Sequence, residues 1–246
     1  MNGETQVGGV MQLPDEAKAF DSIDSRWIKL MNETFKNTNV LEACHAEGRL
    51  GKLETLAFEL EQCQKSLSEY LETKRIAFPR FFFISDEELL SILGSHDPRA
   101  VQEHMVKLFS NTGALVFGSG RAEASVVGME STEGESFAFA NPVPASGAVE
   151  AWMTGVEAEM QASLRLLTKK AVFNYAKLPR IKWLLSVIGM VALAGSQVWW
   201  TWEVEDVFRQ VRKGNKLAMK TFAAKLTRQL NELVERVRTP LNKLDR

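Results

Sequence analysis

The sequence predicts a mainly α protein: an elongated array of helical bundles with one inserted antiparallel β-hairpin. Three observations carry this expectation. Apolar residues recur at a period near 3.6 along four long stretches. Capping residues and prolines punctuate those stretches. Only between Leu115 and Pro144 does the apolar period fall to two.

The elements follow in order. Residues 1–12 are polar and Gly-rich and are expected to be disordered, with a helical domain over 13–246. Leu13-Pro14-Asp15 opens a helix whose stripe is Phe20, Ile23, Trp27, Leu30 and Met31, and Asn37-Thr38-Asn39 ends it. A second stripe runs Leu53, Leu56, Leu60, Cys63, Leu67, Tyr70 and Leu71. It breaks at Phe78-Pro79, because the residue before proline avoids the helical region. Phe81-Phe82-Phe83-Ile84 reads as an extended, buried segment. Ser85-Asp86-Glu87-Glu88 is a capping box, with Ile84 and Leu89 spaced for a hydrophobic staple and Gly94 as the stop. Asp97-Pro98 opens another helix, with Val101, Met105, Leu108 and Phe109 inward.

A hairpin is then expected at about 124–140. Val127 and Met129 alternate with polar or small neighbours on one strand, as do Phe137 and Phe139 on the other, around a loop Ser131-Thr132-Glu133-Gly134. The helix after it carries Val149, Trp152, Met153, Val156, Met160, Leu164 and Leu167. A last helix, Lys216 to Arg238, shows Leu217, Phe222, Leu226, Leu230, Leu233 and Val237 with a basic opposite face.

Between these two helices, Trp183 to Trp202 is 20 residues without a charge, the nominal length of a membrane span. Gln197 and four tryptophans argue against lipid, since tryptophan prefers the interface and a glutamine is costly in hydrocarbon. The stretch reads as two helices with a break at Gly195-Ser196, and Trp183, Trp199 and Trp202 largely buried. No membrane partner is expected.

Charge is distributed unevenly. The whole chain is at −1, which gives no reason to expect nucleic acid. Residues 86–159 hold 12 acidic and 3 basic side chains, whereas residues 208–246 hold 3 acidic and 11 basic. Such a split holds two parts of one molecule together, steers each toward a different partner, or leaves two solvated surfaces. Cys44 and Cys63 are expected as two free thiols, Cys63 the more buried.

Catalytic motifs are missing. Gly51-Lys52 is followed by Leu53 rather than Ser or Thr, and Ala46 stands where the first Gly of a phosphate loop is needed. Gly118-Ser119-Gly120 is followed by Glu123 and lacks a parallel-sheet context. His96, His104 and the Cys44-His45/Cys63 set lack metal-ligand spacing. No catalytic, cofactor-binding or metal-binding residue is assigned. Glu130, Glu133 and Glu135 crowd the hairpin tip and read as a solvated turn or a contact surface.

The run Glu61-Gln62-Cys63-Gln64-Lys65-Ser66-Leu67, Tyr70–Arg75 and Phe78-Pro79-Arg80-Phe81-Phe82-Phe83-Ile84-Ser85 closely resembles the linker region of dynein heavy chains. Glu88–Leu93 continues it. Gly128-Met129-Glu130-Ser131 with Glu133-Gly134-Glu135 resembles the family's hairpin, and Val149-Glu150-Ala151-Trp152-Met153 the helix after it. Gln197, Trp199, Trp200, Thr201 and Glu203-Val204-Glu205 resemble a later segment. Phe78, Pro79, Arg80, Phe81, Trp152, Gln197, Trp200 and Thr201 form the motif core. Ile188-Gly189-Met190 departs from the family's Pro-Gly-Gln.

The resemblance implies a non-catalytic lever arm that docks on an AAA+ ring of the same heavy chain. Glu130, Ser131, Glu133, Gly134 and Glu135 are then the expected ring contact. ATP and Mg would belong to the parent motor, and other dynein subunits and microtubules would be indirect partners. The setting would be cytoplasm and cytoskeleton, including the axoneme of a cilium or flagellum; cytoplasmic and axonemal parents both stay open. The chain is expected to be a piece of that motor, ending before the first nucleotide-binding loop. From the residues alone, a non-enzymatic helical adaptor or scaffold is the alternative.

Overall fold

The computed structural model describes residues 14–119, 125–241 and Leu244. The expected disordered segment 1–12 and the first hairpin residue, 124, lie outside the described residues. The fold is mainly α with one antiparallel sheet, in the order α1 (Pro14–Lys36), α2 (Val40–His45), α3 (Arg49–Ala77), a 3-10 turn (Pro79–Phe83), α4 (Asp86–Gly94), a 3-10 turn (Pro98–His104), α5 (Met105–Leu108), β1 (Thr112–Phe117), β2 (Ser125–Ser131), β3 (Ser136–Pro144), α6 (Val149–Tyr175), α7 (Arg180–Leu184), α8 (Gly189–Arg212) and α9 (Ala218–Val237). Two compact units divide it: residues 1–108 with 146–153, and residues 109–145 with 154–246.

In the first unit α1 and α3 pair antiparallel. Arg49 Nη1 donates to Thr34 Oγ1 at 2.6 Å at one end, while Arg26 pairs with Glu59 at the other. Ile23, Leu30 and Leu56 are buried there. The expected stripes are only partly realised: Phe20, Trp27, Met31, Leu53 and Leu60 are exposed. Each helix buries only the ridge that its neighbour covers, whatever the width of its apolar face.

At the end of α3 the chain does not extend. Pro79 starts a 3-10 turn instead, with Phe81 N–H donating to Phe78 O and Ile84 N–H donating to Phe81 O. The tighter turn points Phe78, Phe81 and Ile84 inward and leaves Phe82 and Phe83 exposed, correcting the extended, buried reading. Phe78 and Phe81 meet edge to face at 4.9 Å. Arg75 secures the turn, donating to the carbonyls of Phe81 and Ile84 and pairing with Asp86 at 2.7 Å.

The capping box forms as expected. Glu88 N–H donates to Ser85 Oγ at 3.2 Å, and Ser85 N–H donates to Glu88 Oε2 at 3.0 Å. Ile84 and Leu89, the staple pair, are both buried. Asp97 accepts from Arg99 N–H, but the helix it starts is 3-10 before it becomes α5. Lys74 and Glu150 form a mostly buried ion pair at 2.6 Å in this unit.

In the second unit the expected hairpin is β2–β3, and β1 adds a third strand that the sequence reading missed. Leu115 pairs with Met129, and Met129 with Phe137. A register shift between Val126 and Gly128 changes the inward phase, so Val126 and Met129 are buried, not Val127 and Met129. Gly128 sits where a Cβ would come within 2.5 Å of the Phe137 carbonyl oxygen, so the crossing of β2 and β3 needs glycine. Ser163 and Glu159 of α6 take the backbone N–H groups of Ala140 and Asn141. Burial opposes ionisation of Glu159, but hydrogen bonds from Ser163 and Asn141 outweigh it and hold its pKa below the ordinary value.

The uncharged stretch is a helix–break–helix element, with the break elsewhere. α7 ends at Leu184, where Ser186 Oγ donates to Trp183 O, and Gly195-Ser196 lie inside α8. Trp183 is fully buried and Trp199 half-buried, but Trp202 is exposed, contrary to expectation. A Cβ on Gly195 would lie 3.0 Å from the Trp183 indole, so this glycine serves close packing rather than a break. Trp183 Nε1 donates to Ala171 O at 2.8 Å and Trp199 Nε1 to Val172 O at 2.7 Å, engaging two carbonyls near the C-terminal end of α6. Tyr175 stacks on Trp199 and meets Trp183 edge to face, and the Arg180 guanidinium lies 4.9 Å from the Trp183 ring. Lys225 of α9 pairs with Glu203 of α8.

Candidate functional site

The hairpin turn is built from short-range hydrogen bonds. Ser131 N–H donates to Glu135 O at 2.7 Å and Gly134 N–H to Ser131 O at 3.0 Å. Ser131 Oγ accepts from the N–H groups of Glu133 and Glu135. Gly134 takes φ +93, a conformation only glycine adopts without strain. Thr132 is tied to Asn111, through Oγ1 to Oδ1 at 2.6 Å and through its N–H to the carbonyl. Asn111 itself has φ 60 and sits just before β1, so the missed strand braces the turn.

The three acids of this turn do not share one role. Glu130 and Glu133 are exposed. Glu135 is half-buried, and its Oε1 accepts a 2.7 Å hydrogen bond from Gly189 N–H, the first residue of α8. Ile188, at the N-cap of α8, offers no side-chain acceptor, so the carboxylate from the hairpin fills that role. The sequence reading placed all three acids on the surface. The signal for Glu135 lay in a helix start without a Ser, Thr, Asp or Asn cap, 54 residues downstream.

The motif core divides between interior and surface. Phe78, Phe81 and Trp152 are buried in the first unit; Pro79 is exposed, and Arg80 Nη1 donates to Leu108 O at 2.9 Å. Gln197, Trp200 and Thr201 are exposed on α8. The aromatic group Tyr175, Trp183 and Trp199 with Arg180 carries the local packing instead.

The reactive side chains are scattered. His104 Nδ1 lies 3.6 Å from Glu88 Oε1, and Lys107 Nζ lies 2.5 Å from the same atom. The Lys107 hydrogen bond, with that from Ser85 N–H, brings the Glu88 carboxyl down to about 2. Cys44 is exposed and Cys63 half-buried, and both are free. Among the described residues no three His, Cys, Asp or Glu side chains are grouped to hold a metal ion. Among the same residues no helix is long and apolar enough to cross a membrane.

Residues 6–171, more than half of the chain, match the family described as dynein heavy chain, N-terminal region 2. Over 231 residues the chain is 63% identical to the Chlamydomonas reinhardtii dynein-1-alpha heavy chain of the flagellar inner arm I1 complex, covering 94% of this chain and 5% of that protein. It is 52% identical over 244 residues to human dynein axonemal heavy chain 10, covering 98% and 6% respectively. It is 40% identical over 239 residues to the ciliary dynein beta chain of Tripneustes gratilla, covering 96% and 5%. The chain therefore spans about a twentieth of the length of these relatives.

Proposed function

The chain belongs to the dynein heavy chain family through its N-terminal region 2, and from that membership we propose that it is a segment of the motor's mechanical linker. In this reading it is a lever arm that docks on the AAA+ ring of the same heavy chain and amplifies ATP-driven motion along microtubules. It performs no catalysis itself; ATP and Mg act in the ring. Its setting is the axoneme of a cilium or flagellum, after the relatives it most resembles among those described above.

The observation that carries the reading is the hairpin tip. Glu130 and Glu133 project into solvent from a turn braced by Asn111 and by short-range hydrogen bonds. A rigid acidic tip binds or releases a basic partner surface without disturbing the fold that holds it, and like charge elsewhere on the partner repels it. Long helices supply the stiffness: α3 alone has 29 residues, about 43 Å at the α-helical rise. Docking positions that depend on nucleotide state require contacts of different strength in each state.

The test is microtubule gliding by the intact motor. Glu130→Lys with Glu133→Lys slows gliding while the chain stays folded. Unchanged velocity removes the hairpin tip as the working contact.

A further inference from the structure

Helix α8 begins without a cap of its own. Its N-cap residue is Ile188, and its first residue is Gly189, whose N–H points at Glu135 Oε1 at 2.7 Å. The helix then runs 24 residues, so its N-terminal partial positive charge is fully developed. A carboxylate at that point satisfies one unpaired N–H and faces the favourable end of the dipole. The same residue closes the hairpin turn from the other side: Glu135 O accepts from Ser131 N–H, and Glu135 N–H donates to Ser131 Oγ. Glu135 thus holds the turn with its backbone and the helix start with its side chain.

We propose that the Glu135 carboxylate is a detachable cap that couples the hairpin turn to the first turn of α8, so that the two open and close as one unit. A side-chain hydrogen bond joins Glu135 to α8, whereas Glu133, two residues earlier, is exposed. Any cationic group that draws the Glu135 carboxylate away from Gly189 uncaps α8, and loosening of the α8 start releases the carboxylate. The coupling is reciprocal. The inference rests on this contact alone and not on the lever reading. Glu135 acts through the backbone of α8 and is a positioning residue.

Amide hydrogen exchange on the full chain tests it. Glu135→Ala speeds exchange in residues 189–191 and in the turn amides of Ser131 and Gly134 by roughly 2- to 30-fold, the range a lost cap produces. Glu135→Gln keeps a carbonyl acceptor and restores most of the protection, whereas Glu133→Ala leaves both segments as they were. Faster exchange in either segment alone, or in both segments of Glu133→Ala as well, overturns the coupling. If Glu135→Ala fails to fold, Glu135→Asp, whose carboxylate is one methylene short of Gly189 N–H, still decides. Faster exchange in residues 189–191 together with the turn amides supports the coupled cap; exchange unchanged from wild type in both segments overturns it.

Discussion

Truncating Trp183 is the sharpest probe of the second unit. The side chain is fully buried in a cluster with Ala171, Val191 and Ala192, and its indole N–H donates to Ala171 O at 2.8 Å. Tyr175 meets it edge to face at 5.0 Å, and Gly195 lies so close that an added Cβ would sit 3.0 Å from the ring. Trp183→Ala removes the ring and its contacts and leaves a cavity, a loss of about 3–5 kcal/mol. At roughly 2–4 °C per kcal/mol for a chain of this size, melting falls by about 6–20 °C. Trp183→Phe keeps one ring but forfeits the hydrogen bond, worth about 0.5–1.5 kcal/mol, with a smaller packing loss added. Trp200 and Trp202 are more than half exposed, and Trp200→Ala is expected to cost no more than about 0.5 kcal/mol. The assay is denaturant unfolding followed by far-ultraviolet circular dichroism, which avoids the fluorescence change that each tryptophan substitution brings. Equal costs for Trp183→Ala and Trp200→Ala would refute the placement of the cluster.

Other substitutions separate the roles described above. Glu130→Lys with Glu133→Lys leaves stability within about 0.5 kcal/mol, whereas Glu135→Lys costs about 1–3 kcal/mol by removing a cap and placing a cation at a helix N-terminus; thermal unfolding reads both. Gly128→Ala forces a Cβ to within 2.5 Å of the Phe137 carbonyl oxygen and destabilises by about 1–3 kcal/mol, seen as lost protection of β2–β3 amides. Glu88 has its pKa lowered to about 2 from an ordinary 4.5, so its contribution is fully present above about pH 4.5 and is lost as pH falls through 2. Glu88→Gln flattens that part of an acid titration of stability. Thiol titration under denaturing, non-reducing conditions finds two groups, and in the native chain Cys44 reacts before Cys63.

Legibility in the sequence followed the range of the interactions. The capping box at Ser85 and Glu88 is complete within four residues and was read correctly. So was the β2–β3 hairpin, whose turn closes on itself through Ser131 and Gly134. Strand β1 was missed because Thr112–Phe117 shows its nature only when paired with β2, and Asn111 looks like an ordinary helix stop. The inward phase of β2 was misassigned because the register shift beside Gly128 leaves no mark on the apolar alternation. The sequence suggests a break at Gly195 because glycine in a helix signals either a stop or a close neighbour, and the neighbour, Trp183, is 12 residues away. At the candidate site, the exposed acids Glu130 and Glu133 were legible from the turn, but the inward use of Glu135 depends on a helix start 54 residues on.

On the proposed lever reading, the chain changes its hold on the AAA+ ring as nucleotide changes. Binding of the purified chain to a dynein ring lacking its linker, measured in ATP, ADP and nucleotide-free conditions, tests it most directly. Saturable binding is expected, with an affinity that differs between nucleotide states by about 5- to 150-fold, the range of ordinary allosteric coupling, and that weakens when Glu130 and Glu133 are both reversed to Lys. Binding of equal affinity in all states, or none in any state, would contradict it.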